Sequence, residues 1–158
     1  IIFKQKRLGW DGRAFTIYKF RTMKPHKERE NKITQATIDD QRFTLIGKWL
    51  RKSSFDELPQ IINVLQGRMS LVGPRPHVAQ HDNEYQKTIQ GYVRRYSVKP
   101  GITGWAQVND LRGEIRSIDD INRRLQHDLF YIENWSLWFD LRIILTTIIK
   151  VFFSRQAW

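Results

Sequence analysis

The stretch SFDELPQIINVLQG, residues 54–67, sets how the middle of the chain can fold. Leu58, Ile61, Ile62 and Leu65 recur at i, i+3, i+4 and i+7, the period of a helix with one apolar face, and Gly67 stands where such a helix would stop. Pro59 limits where the helix begins, because a proline in the interior removes an intrahelical hydrogen bond and is tolerated only in the first turn. The start therefore falls near Asp56, which becomes the cap or its neighbour, although Ser54-x-x-Glu57 also matches a capping box. Acidic residues are favoured there by the helix dipole. The same position suits chemistry, since the dipole favours the ionised form a nucleophile needs and free N–H groups can hold a phosphate. On these residues alone, cap and catalyst both remain open.

Upstream, IFKQKRL, the turn Gly9-Trp10-Asp11-Gly12 and RAFTIYKFRTM make a β-hairpin over residues 2–23, with Phe15, Ile17 and Phe20 in loose alternation. A ribbon this short needs a surface to pack on. Residues 24–37 are polar and read as a solvated loop. A helix follows over 39–52, with Phe43, Ile46 and Leu50 on one face and Arg42, Lys48, Arg51 and Lys52 elsewhere.

Downstream, SLVGPRPH cannot be helical, because two prolines flank Arg75 and restrict their predecessors to extended backbone, so a rigid loop is expected. A helix is expected over 78–95, a second loop at KPGITGW (99–105), and a further helix from Ser117 carrying Ile118, Ile121, Leu125 and Leu129. The last segment, WSLWFDLRIILTTIIKVFFS, confines Ser136, Asp140, Thr147, Lys150 and Ser154 to one narrow helical stripe. The remaining surface is wide and apolar. Asp140, Arg142 and Lys150 interrupt it too often for a membrane span, which leaves an interfacial helix or a core helix.

The composition admits one folded domain: 158 residues, 41% hydrophobic and 13% aromatic. Against 16 Asp plus Glu stand 27 Lys plus Arg, a formal charge of +11, which favours anionic partners such as nucleic acid, anionic lipid or phosphorylated substrates. The absence of cysteine excludes a disulfide framework and thiolate metal sites. The chain opens on Ile1 in a strand-like run, so a piece of a longer protein is expected, with a targeting or a membrane segment upstream.

Each remaining motif has an ordinary and a functional reading. In GPRP (73–76), Pro74 and Pro76 hold Arg75 between two rings and present its guanidinium at low entropic cost, as a phosphate site or as a plain surface turn. PGITGWAQVN (100–109) is either a ligand-approaching loop or a tight bend packed by Trp105. His77, His81 and Glu84 share helical spacing, but Val78 stands where a zinc metalloprotease needs its glutamate. Nucleic-acid binding has only the basic balance in its favour, since no zinc finger, RNP-type strand or KH-like loop is present.

Taken together, KFRTM (19–23), DELPQIINVLQGRMSLVGPRP (56–76), VKPGITGWAQVN (98–109) and the D-x-x-YIENWSLWFD run from Asp128 resemble the bacterial sugar transferase family, in order and almost end to end. That resemblance implies a monotopic enzyme of mostly α, α+β fold, a small N-terminal hairpin followed by amphipathic helices and rigid loops docked on a membrane surface. It implies transfer of a sugar-1-phosphate from a UDP-sugar to undecaprenyl phosphate with Mg²⁺, releasing UMP, at the cytoplasmic face of the bacterial inner membrane. Asp56 would be the nucleophile that carries the phosphosugar, and Glu57 the metal ligand. Arg51, Arg75 and Arg112 would contact phosphate or nucleotide, and Asp128 the metal or substrate side. The ending NWSLWFDL leans toward glucose-1-phosphate, and the interfacial reading of 135–153 then outweighs the core reading.

Overall fold

The computed structural model describes residues 1–24, 40–113 and 115–153. Strands β1 (Ile2–Leu8) and β2 (Ala14–Phe20) pair antiparallel from Ile2↔Phe20 to Leu8↔Ala14. Asp11 and Gly12 adopt positive φ in the connecting turn. Phe15 and Ile17, two apart on β2, bury one face of the ribbon against Met69. The hairpin expected over 2–23 is present, and most of the polar segment 24–37 lies outside the described residues.

Helix α1 (Leu45–Lys52) begins later than expected because Thr44 caps it, its hydroxyl accepting from the Gly47 N–H at 3.0 Å. Phe43 stays out of the helix and bridges Met23 in extended backbone. A single 3₁₀ turn, Phe55–Glu57, precedes α2 (Gln60–Leu65). Neither Ser54 nor Asp56 caps that helix, which is a departure from both readings of the sequence. Ser54 lies in the left-handed region at φ +61 and makes no capping bond, while Pro59 occupies the cap position with a helical φ of −62. At the far end Gly67 turns the chain at φ +71.

The two segments read as loops contain short parallel strands. β3 (Ser70–Val72) pairs with β4 (Gly101–Thr103), and the backbones run so close together that a Cβ on Gly101 would collide with the Gly73 nitrogen. A pair this short leaves too little periodicity to detect. α4 (Trp105–Val108) follows directly.

The helix expected over 78–95 is shorter, α3 (Ala79–Thr88). Ile89 ends it in extended backbone, and a 3₁₀ segment, Tyr92–Ser97, follows from Gly91 at φ +77. α5 (Ile118–Glu133) starts on Ser117, whose hydroxyl accepts from the Asp120 N–H while the Asp120 carboxylate accepts from the Ser117 N–H. α6 (Leu137–Phe153) ends the described chain. Apart from the small antiparallel hairpin and the β3–β4 pair the fold is helical, and no described helix is long and apolar enough to cross a membrane.

One apolar cluster joins Ile89 and Tyr92 to Ile121 and Leu125 of α5. A second joins Val72, Val108 and Tyr131 to Ile143 of α6. The remaining helices contribute little to either. Leu58, Ile61, Ile62 and Leu65, the stripe that defines α2, are all exposed, Leu65 by 83%. In their place α2 buries Gln60 and Asn63. Asn63 lies against β2, its side-chain oxygen accepting from the Tyr18 N–H at 3.1 Å and its amide donating to the Thr16 carbonyl at 2.7 Å. Two open backbone groups of the hairpin edge are thereby satisfied.

α6 is turned the same way. Tyr131 and Trp135 donate to the Asp140 carboxylate, Thr147 meets Thr103 hydroxyl to hydroxyl at 2.7 Å, and Lys150 pairs with Asp110 at 2.5 Å. Asp140, Thr147 and Lys150 of its polar stripe thus face the protein, Ser136 is exposed and Ser154 lies outside the described residues, while Leu137, Trp138, Leu141, Leu145, Ile148 and Ile149 face out.

Candidate active site

Asp56 and Glu57 come to the site from the 3₁₀ turn, and both are buried, each 5% exposed. Two adjacent carboxylates withdrawn from water need compensating charge. Glu57 has three partners: Arg75 approaches as a fork, Nη2 to Oε1 at 2.5 Å and Nη1 to Oε2 at 3.1 Å, Lys19 donates at 2.8 Å, and Arg112 stands at 3.7 Å. Burial alone would push the Glu57 carboxyl up, but Arg75 and Lys19 hold it well below the usual carboxylate range.

Asp56 differs. No side chain among the described residues donates a hydrogen bond to it, and burial pushes its carboxyl up, only partly opposed by the charges of Lys19, Arg51 and Arg75. In place of a helix N-terminus, the charges of Lys19, Arg51 and Arg75 are what favour its ionised form. Its oxygens are free for an incoming electrophile, whereas those of Glu57 are already engaged.

The cations reach the pair from four separate segments. Arg51 projects from the last turn of α1, its Nε donating to Thr22 Oγ1 at 3.1 Å and its guanidinium over the Phe43 ring. Arg75 sits between two buried prolines: the Pro74 carbonyl accepts from the Gly101 N–H at 3.0 Å, and the Pro76 carbonyl from Arg7 at 3.3 Å. Pro74 and Pro76 thus fix the loop from behind. Arg112 donates to Ser54 Oγ at 2.6 Å, which ties the segment after α4 to the turn carrying the carboxylates. Lys19, from β2, was part of the KFRTM motif, yet periodicity assigned it no role. Burial lowers its amine to about 8, against the pull of Glu57.

Asp128 does not join this cluster. It is buried behind Arg75, accepting from Arg95 Nε at 2.8 Å. Its neighbour His77 is kept neutral, down to about 3, by burial and by the charge of Arg95. His77, His81 and Glu84 form no metal site, and no three metal-ligating side chains gather among the described residues.

Beside Glu57 opens a cavity of about 350 Å³. Leu58, Ile61, Leu71, Ile144 and Ile148 form apolar walls, with Ser54 and Arg112 also lining it and Lys150 and Asp110 among the polar groups. Chemically, the site offers one unpaired buried carboxylate, a second held in the anionic form, and four cations suited to phosphate oxygens.

The family model for the bacterial sugar transferases matches residues 1–154. The chain belongs to the bacterial sugar transferase family. A UDP-glucose:undecaprenyl-phosphate glucose-1-phosphate transferase of Xanthomonas campestris pv. campestris is 52% identical over all 158 residues, 33% of that protein. The transferase of the same name from Escherichia coli (strain K12) is 49% identical over the whole chain and 34% of its own length. A UDP-N-acetylgalactosamine-undecaprenyl-phosphate N-acetylgalactosaminephosphotransferase of Aeromonas hydrophila is 43% identical over 94% of the chain. The chain thus spans about a third of the length of these relatives. Within the sugar transferase family fold, Asp56, Glu57, Arg51, Arg75 and Arg112 come together, Pro74 and Pro76 flank Arg75, and Asp128 lies apart, paired with Arg95.

Proposed function

We propose that this chain is the catalytic domain of a phosphoglycosyl transferase that moves a hexose-1-phosphate, by preference glucose-1-phosphate, from a UDP-sugar to undecaprenyl phosphate. The observation that carries this reading is the asymmetry of the carboxylate pair: Glu57 is held by three cations, and Asp56, beside it, accepts no hydrogen bond from a described side chain. In the first half-reaction an Asp56 oxygen attacks the sugar-bearing phosphorus. A bond from carboxylate oxygen to phosphorus forms, the bond to the bridging oxygen breaks, and UMP leaves. In the second, a phosphate oxygen of the lipid attacks the same phosphorus, giving the sugar diphospholipid and restoring Asp56.

Lys19, Arg51, Arg75 and Arg112 would bind the diphosphate and offset the charge that develops on its equatorial and leaving oxygens. Asp56 and Glu57 are too few to cage a metal, but they fit Mg²⁺, which is commonly bound through one or two carboxylates and substrate phosphate oxygens. Glu57 would hold the ion, and when bound it would neutralise diphosphate charge.

The lipid acceptor calls for contact with a membrane surface, and the outward apolar faces of α1, α2 and α6 support that reading. Leu45, Ile46, Trp49, Leu65, Trp138 and Leu145 are exposed on a chain of net charge +11, a combination suited to an anionic cytoplasmic leaflet. The glucose assignment rests on the names of the relatives at 52% and 49% identity. The test is to incubate the full-length protein in vesicles with radiolabelled UDP-glucose, Mg²⁺ and undecaprenyl phosphate. Labelled lipid and UMP are expected, together with a phosphosugar adduct located by mass spectrometry on Asp56. EDTA or Asp56→Asn should abolish all three, and full turnover by Asp56→Asn would refute the covalent step.

A further inference from the structure

Behind the carboxylate pair lies a second buried polar cluster, in which His77, Asp82, Tyr92, Arg95 and Asp128 are all nearly inaccessible. Its centre is Arg95. Nε donates to Asp128 Oδ2 at 2.8 Å, and Nη1 donates to the Tyr92 hydroxyl at 2.7 Å and lies 3.0 Å from His77 Nδ1. The Tyr92 hydroxyl in turn donates to Asp82 Oδ1 at 2.5 Å. The guanidinium also lies against the Tyr92 ring, 5.0 Å from its centroid. The last nitrogen, Nη2, leaves the cluster and donates to the backbone carbonyl of Arg75 at 2.6 Å.

That last bond matters because Arg75 is the residue whose side chain forks onto Glu57. The planar guanidinium has donors in a fixed fork, so anchoring its inner nitrogens fixes where the outer one points. The cost of burying such a cation is met by two carboxylates, Asp128 at 2.8 Å and Asp82 at 3.8 Å. Charge compensation explains those two carboxylates; the additional donor to a backbone carbonyl in the GPRP loop is what connects this cluster to the site.

The structure assigns to Arg95 the part of a positioning residue: held by Asp128 and Tyr92, it fixes the backbone at Arg75 and thereby the aim of the Arg75 guanidinium at Glu57 and the substrate phosphate. Asp128 then serves the reaction at one remove, through Arg95, and contacts neither metal nor substrate. The substrate part of this inference rests on the proposed transferase function. The part concerning Arg75 and Glu57 does not.

A kinetic cycle tests it. Arg95→Lys, which keeps the charge and loses the fork, is compared with Arg75→Lys and with the double variant in the full-length protein. Turnover should fall roughly 10- to 100-fold in Arg95→Lys, as a misplacement of about 1 Å does. Added to Arg75→Lys it should cost little more, because the path it acts through is already broken. An equal fold-loss in both backgrounds overturns the assignment. If Arg95→Lys melts early, Asp128→Asn, which leaves Arg95 in place and removes one anchor, goes through the same cycle. A substrate-free measurement stands beside it. In ¹⁵N NMR, the Arg75 guanidinium protons should be protected in the parent protein and exchange fast in Arg95→Lys; unchanged protection also overturns the assignment. A parent protein that releases no UMP would count against the transferase function, and the exchange measurement would still decide the role of Arg95.

Discussion

Helices α2 and α5 are both amphipathic, yet they are mounted in opposite senses. α5 turns Ile121 and Leu125 into the core, with Ile121 only 1% exposed, and leaves Asp119 and Arg123 in solvent. α2 buries Gln60 and Asn63 and presents Leu58, Ile61, Ile62 and Leu65 outward. The first obeys the transfer of apolar surface out of water. The second is stable in this sense because its polar face satisfies β2 and because the neighbouring turn delivers two carboxylates to four cations. An amphipathic pattern states that two faces differ; it does not state which face is wet.

That contrast can be broken or sharpened by substitution. The largest effect is expected at the polar side: Arg75→Met leaves Glu57 without its forked partner in a buried site, and breaking such a pair costs about 3–5 kcal/mol, to be read from urea denaturation. Next is the apolar side, where Ile121→Ala should cost about 2–4 kcal/mol through lost burial and the cavity left behind. Asn63→Ala comes third. It strands the Tyr18 N–H and the Thr16 carbonyl, and should cost about 1–3 kcal/mol although it removes no apolar group. The smallest stability effect is expected on the outer face of α2, where Leu65→Ser should stay within about 0.5 kcal/mol of the parent while weakening sedimentation with anionic vesicles. Should Leu65→Ser prove as destabilising as Ile121→Ala, the outward face of α2 would be an ordinary core face, and the contrast would fail.

Much of the fold was legible locally. The hairpin turn, the Ser117 start of α5 and the stop at Gly67 are written in residue types whose backbone or hydrogen-bonding preferences act within a few positions. The position of α1 was less so, since Phe43 shares its helical spacing with Leu50 yet is drawn into a bridge with Met23. β3 and β4 were illegible because three residues do not establish a period, and their pairing partners lie about thirty positions apart in sequence. Lys19 escaped notice for a related reason: a lysine on a strand has no local signature, and its value comes from lying 2.8 Å from a carboxylate 38 residues away.

What the sequence determined by itself was the chemistry available: an acidic pair next to a proline that fixes the turn, an arginine clamped between prolines, helices with distinct faces and an excess of positive charge. These follow from short-range sterics and side-chain identity. Only the tertiary structure decided the division of labour. Whether Asp56 or Glu57 carries the bound cations, whether Asp128 lies among those cations or pairs with Arg95, and which face of α2 and α6 is turned to the core all depend on contacts between distant segments. Desolvation and ion pairing act through space, so their outcome is set when the chain closes on itself and cannot be read from spacing along it.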